Sequence, residues 1–207
     1  MIITAKEGRQ NKIHIFIDEE YLLTVDNEFW LLGDIRSGDE IDEQQLELFK
    51  SQAAYRRAYN RALDIISRRE HSRFDLVNKL TQRCCDRETA EKIADKLENI
   101  GLLDDLRYSR LLLRELSEYK KMGKNRIKQE FFKHGISREI FDEIIVEVED
   151  NPHQNIKEII ERKYIGRMND EKGKARAING LLRMGYSYSD IYSVINDMNI
   201  DIDGSCD

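Results

Sequence analysis

Residues 123 to 137 read G-K-N-R-I-K-Q-E-F-F-K-H-G-I-S. Ile127 and Phe131 stand four apart and share one helical face, while Lys124, Arg126, Lys128 and Lys133 spread over the remainder. Gly135 can take the left-handed conformation that ends a helix, and Ser137 can cap the next one. The stretch therefore predicts a short basic amphipathic helix, a stop and a fresh start.

The same grammar recurs 50 residues on. Gly135 and Gly185, Ser137 and Ser187, and Arg126 and Arg176 are each 50 apart, and Arg83, Lys133 and Arg183 form a series at that spacing. A period near 50 marks supersecondary units that bury their apolar faces by stacking. Working outward, the chain reads as three helices, three times over. Asp42 starts a helix with Ala54, Ala58, Ala62, Ile65 and Ile66 on one face, running to about Glu70. Ser72 with Asp75 resembles a capping box ahead of Leu76, Val77 and Leu80; Asp86 precedes the stripe Ala90, Ile93, Ala94, Leu97, Ile100, closed by Gly101. In the second copy Asp104 or Asp105 caps a helix with Tyr108, Leu112, Leu116 and Tyr119, and Ser137 caps one with Ile140, Ile144 and Val148. In the third, Asn151 and Pro152 open a helix with Ile156, Ile159 and Ile160. Ala177 and Leu181 mark the next, and Ser187 caps the last, with Ile191, Ile195 and Met198.

Residues 1 to 50 differ. Ile13, Ile15 and Ile17 alternate with His14 and Phe16, and an apolar run resumes from Tyr21 to Val25, which predicts a hairpin; Ile2 to Ala5 can add a strand. Residues 28 to 32 read as a helical turn ended by Gly33, with Trp30 in the core. Five Lys and Arg against twelve Asp and Glu make this leader acidic, at −7.

The expected fold is mostly α: three tandem three-helix repeats in an elongated array, curved or straight, with a small N-terminal β-hairpin module. The divisions fall at 1–50 (acidic β-rich module), 51–104, 105–151 and 152–207 (helical repeats 1 to 3, the last with an acidic tail). With 36% charged residues, one proline and a mean hydropathy of −0.65, composition favours such an array over one dense core.

The net charge of −6 disfavours bulk electrostatic binding of nucleic acid, but it conceals alternation. Residues 56–83, 119–138 and 162–183 carry +5, +6 and +5; residues 84–105, 139–151 and 184–207 carry −4, −6 and −5. Stacked in register, the second helices would line up as a positive stripe: Arg68, Arg69, Lys79, Arg83; Lys124, Arg126, Lys128, Lys133; Lys174, Arg176, Arg183.

No catalytic pattern emerges. His14, His71, His134 and His153 are scattered, Cys84 and Cys85 are adjacent without C-x-x-C spacing, and Cys206 lies in the tail, so neither a metal site nor a disulfide framework is expected. Gly166 to Lys174 fails as a P-loop because six residues separate its glycines and no Ser or Thr follows the Lys. Asp104 and Asp105 are explained by helix capping. With no apolar leader or membrane-length run, a cytoplasmic protein without cofactor is expected.

Four segments carry a family resemblance: R-R-E-H-S-R-F-D-L-V-N-K-L (68–80), G-L-L-D-D-L-R-Y-S-R (101–110), M-G-K-N-R-I-K-Q-E-F-F-K-H-G-I-S (122–137) and K-A-R-A-I-N-G-L-L-R-M-G-Y-S (174–187). In order and spacing they resemble the RecX family of regulators of the RecA recombinase, over about residues 53 to 198. The resemblance implies a non-enzymatic, monomeric protein of tandem three-helix repeats that lodges in the groove of the RecA filament on single-stranded DNA. There it inhibits ATP hydrolysis and strand exchange and favours disassembly. The family's basic residue near the end of each second helix carries over to Arg83, Lys133 and Arg183. The G-L-L-D-D-x-x-Y motif carries over to Gly101, Leu102, Leu103, Asp104, Asp105 and Tyr108, read as a structural joint, and Gly123, Gly135 and Gly185 are counted with it as structural positions. Cys84-Cys85, where a glycine often ends the helix, and the acidic leader depart from the pattern. An autonomous DNA-binding helical protein and a helical scaffold for another partner are the alternatives.

Overall fold

The structure, a computed structural model, describes residues 1–147, 151–168 and 170–198. Val148, Cys206 and the acidic residues of the tail lie outside them. The chain divides into two compact units, 1–70 with 76–103 and 71–75 with 104–207.

In the first unit, β1 (Ile3–Glu7), β2 (Lys12–Ile17) and β3 (Glu20–Asp26) form an antiparallel sheet in sequential order. Ile3 pairs with Ile17 and Ile13 with Val25. Ile3, Ile13, Ile15 and Val25 are thus buried on one face, as period-two alternation requires. Both turns hold two consecutive residues at positive φ, Gln10-Asn11 and Asp18-Glu19, which matches the twist of the strands they join. Asp26 then caps α1 (Asn27–Leu32), which stops at Gly33. The expected three strands and helical turn are all present, and Trp30 packs partly buried against the sheet core.

Asp42 and Gln45 form a reciprocal capping box that starts α2 (Glu43–Ile66). The first half of this helix faces the sheet through Leu46, Phe49 and Ala53. The second half places Ala58 and Ala62 against α3 (Arg73–Arg83) and α4 (Arg87–Asn99) in a core with Leu76, Leu80, Ile93 and Leu97. Two expectations change here. Ala54 is exposed and Ala53 buried, because Leu46 and Phe49 set the face and Ala53 continues it four residues on. The helix ends at Ile66 instead of Glu70, since Ser67, Arg68 and Arg69 are exposed and offer no apolar face to hold another turn. Asp86 caps α4 as expected, but Ile100 is 54% exposed. There the chain leaves the helix, Gly101 turns it at φ +73°, and Leu103 fills the core in its place.

The second unit holds two more trios. Asp104 caps α5 (Asp105–Arg114); α6 (Lys124–Lys133) follows, and Ser137 caps α7 (Arg138–Ile144). Their core comprises Leu112, Leu113, Leu116, Ile127, Phe131, Phe141 and Ile144. Tyr119 departs from the expected face and is 73% exposed. A π-helical turn over Glu115–Tyr119, in which Lys120 N–H donates to Glu115 O, inserts an extra residue and swings the ring off the stripe. The last trio is α8 (Pro152–Lys163, capped by Asn151), α9 (Glu171–Arg183, capped by Asp170) and α10 (Tyr188–Asp197, capped by Ser187). Ile156, Ile159, Ile160, Ala177, Leu181, Ile191 and Ile195 are buried there, with Val194 and Met168 beside them. Among the described residues, no helix is long and apolar enough to cross a membrane.

Candidate nucleic-acid interface

Helix α6 is positioned by backbone. Gly123 precedes it with no side-chain cap, and its N–H donates to Met184 O at 2.8 Å while Asn125 N–H donates to Gly185 O at 3.3 Å. Thus the turn between α9 and α10 accepts from the residue that precedes α6 and from one N–H of its first turn. The approach requires glycine on both sides. A Cβ on Gly123 would lie 2.5 Å from the Gly185 carbonyl carbon, and one on Gly185, which sits at φ +92°, would lie 2.3 Å from Arg126 N. Tyr186 locks the same corner by donating its hydroxyl hydrogen bond to Lys121 O at 2.7 Å.

With Ile127 and Phe131 buried, the opposite face of α6 borders a groove of about 540 Å³ shared with the α9–α10 turn. Arg126, Lys128, Phe132, Arg183 and Tyr188 line it. Phe132 and Tyr188 are 48% and 59% exposed, Lys128 Nζ lies 5.8 Å from the Phe132 ring, and Tyr188 stacks on Tyr192. Cations beside exposed aromatic faces suit phosphates and unstacked bases.

The structure sorts the remaining basic residues. Arg126 and Lys133 both bind Glu130, at 2.7 and 2.8 Å, and the Lys133 hydrogen bond, followed by the Arg126 charge, holds that carboxyl below its usual value. Lys124 lines a separate cleft of about 570 Å³ with Ile127, Val146, Pro152 and Asp190. On α9, Lys174 is half-buried and Arg176 exposed, neither in an ion pair among the described residues, and Arg183 Nε donates to Asn179 O. In the first unit, Arg68 pairs with Asp64, which also binds Arg61; Arg69 and Arg83 are exposed and Lys79 half-buried. Arg126, Lys128 and Arg183 are therefore brought to one groove. Lys124 and Lys133 are not among its lining residues. Glu130 was legible as an acid four residues after Arg126 and three before Lys133, a spacing at which helical side chains meet. The two aromatics carried no comparable signal, since Phe132 adjoins the buried Phe131 and Tyr188 stands 56 residues away.

The D-D motif makes a second constellation. Asp104 Oδ1 accepts from Arg107 N–H, whereas Asp105 Oδ1 accepts from Arg73 N–H at 2.7 Å and so serves the first turn of α3. Burial pushes the Asp105 carboxyl up, opposed by that hydrogen bond. Tyr108 is buried with its ring edge-on to His134, and His134 Nδ1 lies 2.8 Å from Asp75 Oδ2. Gly135, at φ +71°, packs where a Cβ would come within 2.4 Å of Phe74 Cβ. Cys84 and Cys85 are free thiols, and burial raises the second. Among the described residues no cluster of His, Cys, Asp and Glu is arranged to hold a metal ion.

Comparison with known proteins bears on this geometry. Residues 58–97 match the family profile described as RecX, first three-helix domain, and residues 104–144 match RecX, second three-helix domain. A protein from Clostridium tetani named Regulatory protein RecX is 26% identical over 201 residues, covering 95% of this chain and 92% of its own. One of the same name from Pseudomonas putida is 30% identical over 141 residues, 68% of this chain and 90% of the relative. In fold, a crystal structure of regulatory protein RecX matches with a TM-score of 0.69 at 24% identity, over 94% of this chain and 97% of the other. RecX from Lactobacillus salivarius matches with 0.60 at 21%, over 72% and 98%. With two family domains in order and a relative of this identity covered almost end to end, the chain belongs to the RecX family of regulatory proteins.

Proposed function

We propose that this protein regulates the RecA recombinase by lodging, as a monomer, in the groove of the filament that RecA forms on single-stranded DNA, where it inhibits ATP hydrolysis and strand exchange and destabilises the filament. The observation that carries this reading is the convergence of Arg126, Lys128 and Arg183 with the exposed rings of Phe132 and Tyr188 on one groove of the second unit. Single-stranded DNA in a filament offers both phosphates for the cations and bases that can stack on the aromatic rings. The basic residues of the first unit, Arg68, Arg69, Lys79 and Arg83, supply further cations for the filament. No step of this function needs a cofactor or a reaction by the protein, and it is exercised in the cytoplasm.

The test is RecA-catalysed ATP hydrolysis on single-stranded DNA with increasing amounts of this protein. Inhibition that is weakened when Arg83, Lys133 and Arg183 are all replaced by Glu is expected, with helicity by circular dichroism unchanged. No change in hydrolysis at several-fold excess over filament sites overturns the proposal. The exposed aromatics of the groove favour one further reading, direct binding of single-stranded DNA without RecA; a steep loss of binding with added salt distinguishes it.

A further inference from the structure

The acidic first unit carries an apolar cleft that the basic groove does not use. It lies between α1 and the first half of α2, encloses about 430 Å³, and is floored by Phe29, Trp30, Ile35 and Phe49 with Leu32 and Leu48 at its edge. The floor is ordered by ring packing: Phe29 and Trp30 set their rings 5.7 and 6.2 Å from Phe49, the latter edge-on. The edge is open to solvent, for Leu32 is 76% and Leu48 59% exposed, and Leu31 beside them is 63% exposed. Two leucines left in water at the edge of one apolar cleft, with Leu31 exposed next in sequence, form the kind of patch that marks an interaction site.

Charge decides what can cover it. Arg56 is the one cation among the lining residues, and it is consumed by Asp26 at 3.2 Å and Glu28 at 2.5 Å. Asp34, on the lining, is exposed and forms no ion pair among the described residues, and Glu47, one position from Leu48, is 66% exposed in its side chain and pairs with Lys50. Residues 1–50 as a whole carry −7. Arg36 also reaches the rim, where its Nη1 donates to Gly33 O and Ile35 O, but it does not offset the acids of the module, so nucleic acid and acidic peptides are disfavoured there and a cationic segment is attracted.

We propose that this cleft docks an amphipathic segment of a partner protein, with bulky aliphatic or aromatic side chains on the floor and Lys or Arg flanking them over the acidic rim. The proposal is independent of the recombinase reading, because it rests on the first unit alone.

Trp30 is the sole tryptophan, so its fluorescence reports on the cleft floor directly. The probe is a synthetic helical peptide of Leu and Lys at amphipathic spacing, titrated into the full chain beside a Leu and Glu peptide of the same pattern. A saturable change in Trp30 emission with the Leu and Lys peptide alone is expected, weakening with salt. Leu48→Glu should weaken binding at least about tenfold, because one leucine side chain is no longer buried against the peptide. Asp34→Lys, which leaves the floor untouched, should weaken it by roughly threefold through charge alone. Both positions are exposed, and circular dichroism confirms that the variants fold. No saturable change, an equal response to the acidic peptide, or unaltered binding by both variants overturns the proposal. So does a concentration-dependent change in Trp30 emission without peptide that matches the peptide's, since the occupant would then be a second copy of the chain.

Discussion

Helices α6 and α9 stand at corresponding places in successive repeats, 50 residues apart, and differ at positions that change what their charges can do, Lys128 corresponding to the uncharged Ile178 among them. Arg126 corresponds to Arg176 and Lys133 to Arg183, but Glu130 corresponds to Gly180. In α6 the acid reaches both cations. In α9 the same place carries no carboxylate, and the Tyr164 hydroxyl occupies the space, only 2.3 Å from where a Cβ would stand. Two helices of like periodicity and like basic count thus present unequal surfaces: two of the four cations of α6, Arg126 and Lys133, share Glu130, while Arg176 and Arg183 of α9 form no ion pair among the described residues. Counting charges along a repeat overstates the positive stripe wherever an acid stands three or four residues from a base.

The largest effect expected from disturbing this pair is on the corner that joins them. Gly185→Val must force a side chain into a left-handed backbone and against Arg126 N, for a loss of about 2–5 kcal/mol. Urea denaturation checks this. Gly101→Ala supplies the contrast, because Gly101 is also left-handed, at φ +73°, but a Cβ there meets nothing within 4 Å. Its cost should be the backbone part alone, about 1–2 kcal/mol. Equal losses would remove the close approach of α6 from the account.

Next in size is the difference in anion binding. Replacing Arg176 and Arg183 by Glu should weaken salt-dependent binding to single-stranded DNA or to the filament about tenfold, against about threefold for Arg126 and Lys133, which share the charge of Glu130 and so present one net positive charge between them. Fluorescence anisotropy at two salt concentrations measures both. If the α6 pair costs as much as the α9 pair, the compensation by Glu130 has no consequence.

The smallest effect concerns Glu130 itself. Glu130→Gln should free Arg126 and Lys133, strengthening anion binding about twofold, while lowering stability by less than about 1 kcal/mol. The pH dependence follows from the direction of the shift. The folded carboxyl titrates below its ordinary 4.5, so its contribution is complete above that value and is lost as pH falls through the lowered one. Denaturation midpoints of the parent and the variant should therefore converge in acid and separate above pH 4.5. A constant difference across that range would assign the effect to packing.

Much of the fold is legible in the chain because its determinants are local. Asp42, Asp86, Asp104, Asn151 and Ser187 each cap the helix expected of them, and Gly101, Gly135 and Gly185 all adopt the left-handed turn. Where the reading failed, a nonlocal condition intervened. Tyr119 followed a helical period that the π turn interrupts, Ala54 lay on the face of the wrong half of α2, and Ile100 belonged to a stripe whose last core position is taken by Leu103. The candidate site was half visible: its cations could be named, but not their grouping.

The sequence by itself determined the repeat, the helices with their starts and stops, the buried stripe of each and the sign of each segment's charge, because capping, glycine conformation and side-chain periodicity act over four or five residues. Only the tertiary structure decided that Gly123 and Gly185 touch, and that Arg126 and Lys128 therefore share a groove with Arg183 and Tyr188. Only it left the acidic module with an open apolar cleft. Those outcomes depend on which backbones approach closely enough to exclude a Cβ, a condition set by residues some 60 positions apart and carried by no local pattern.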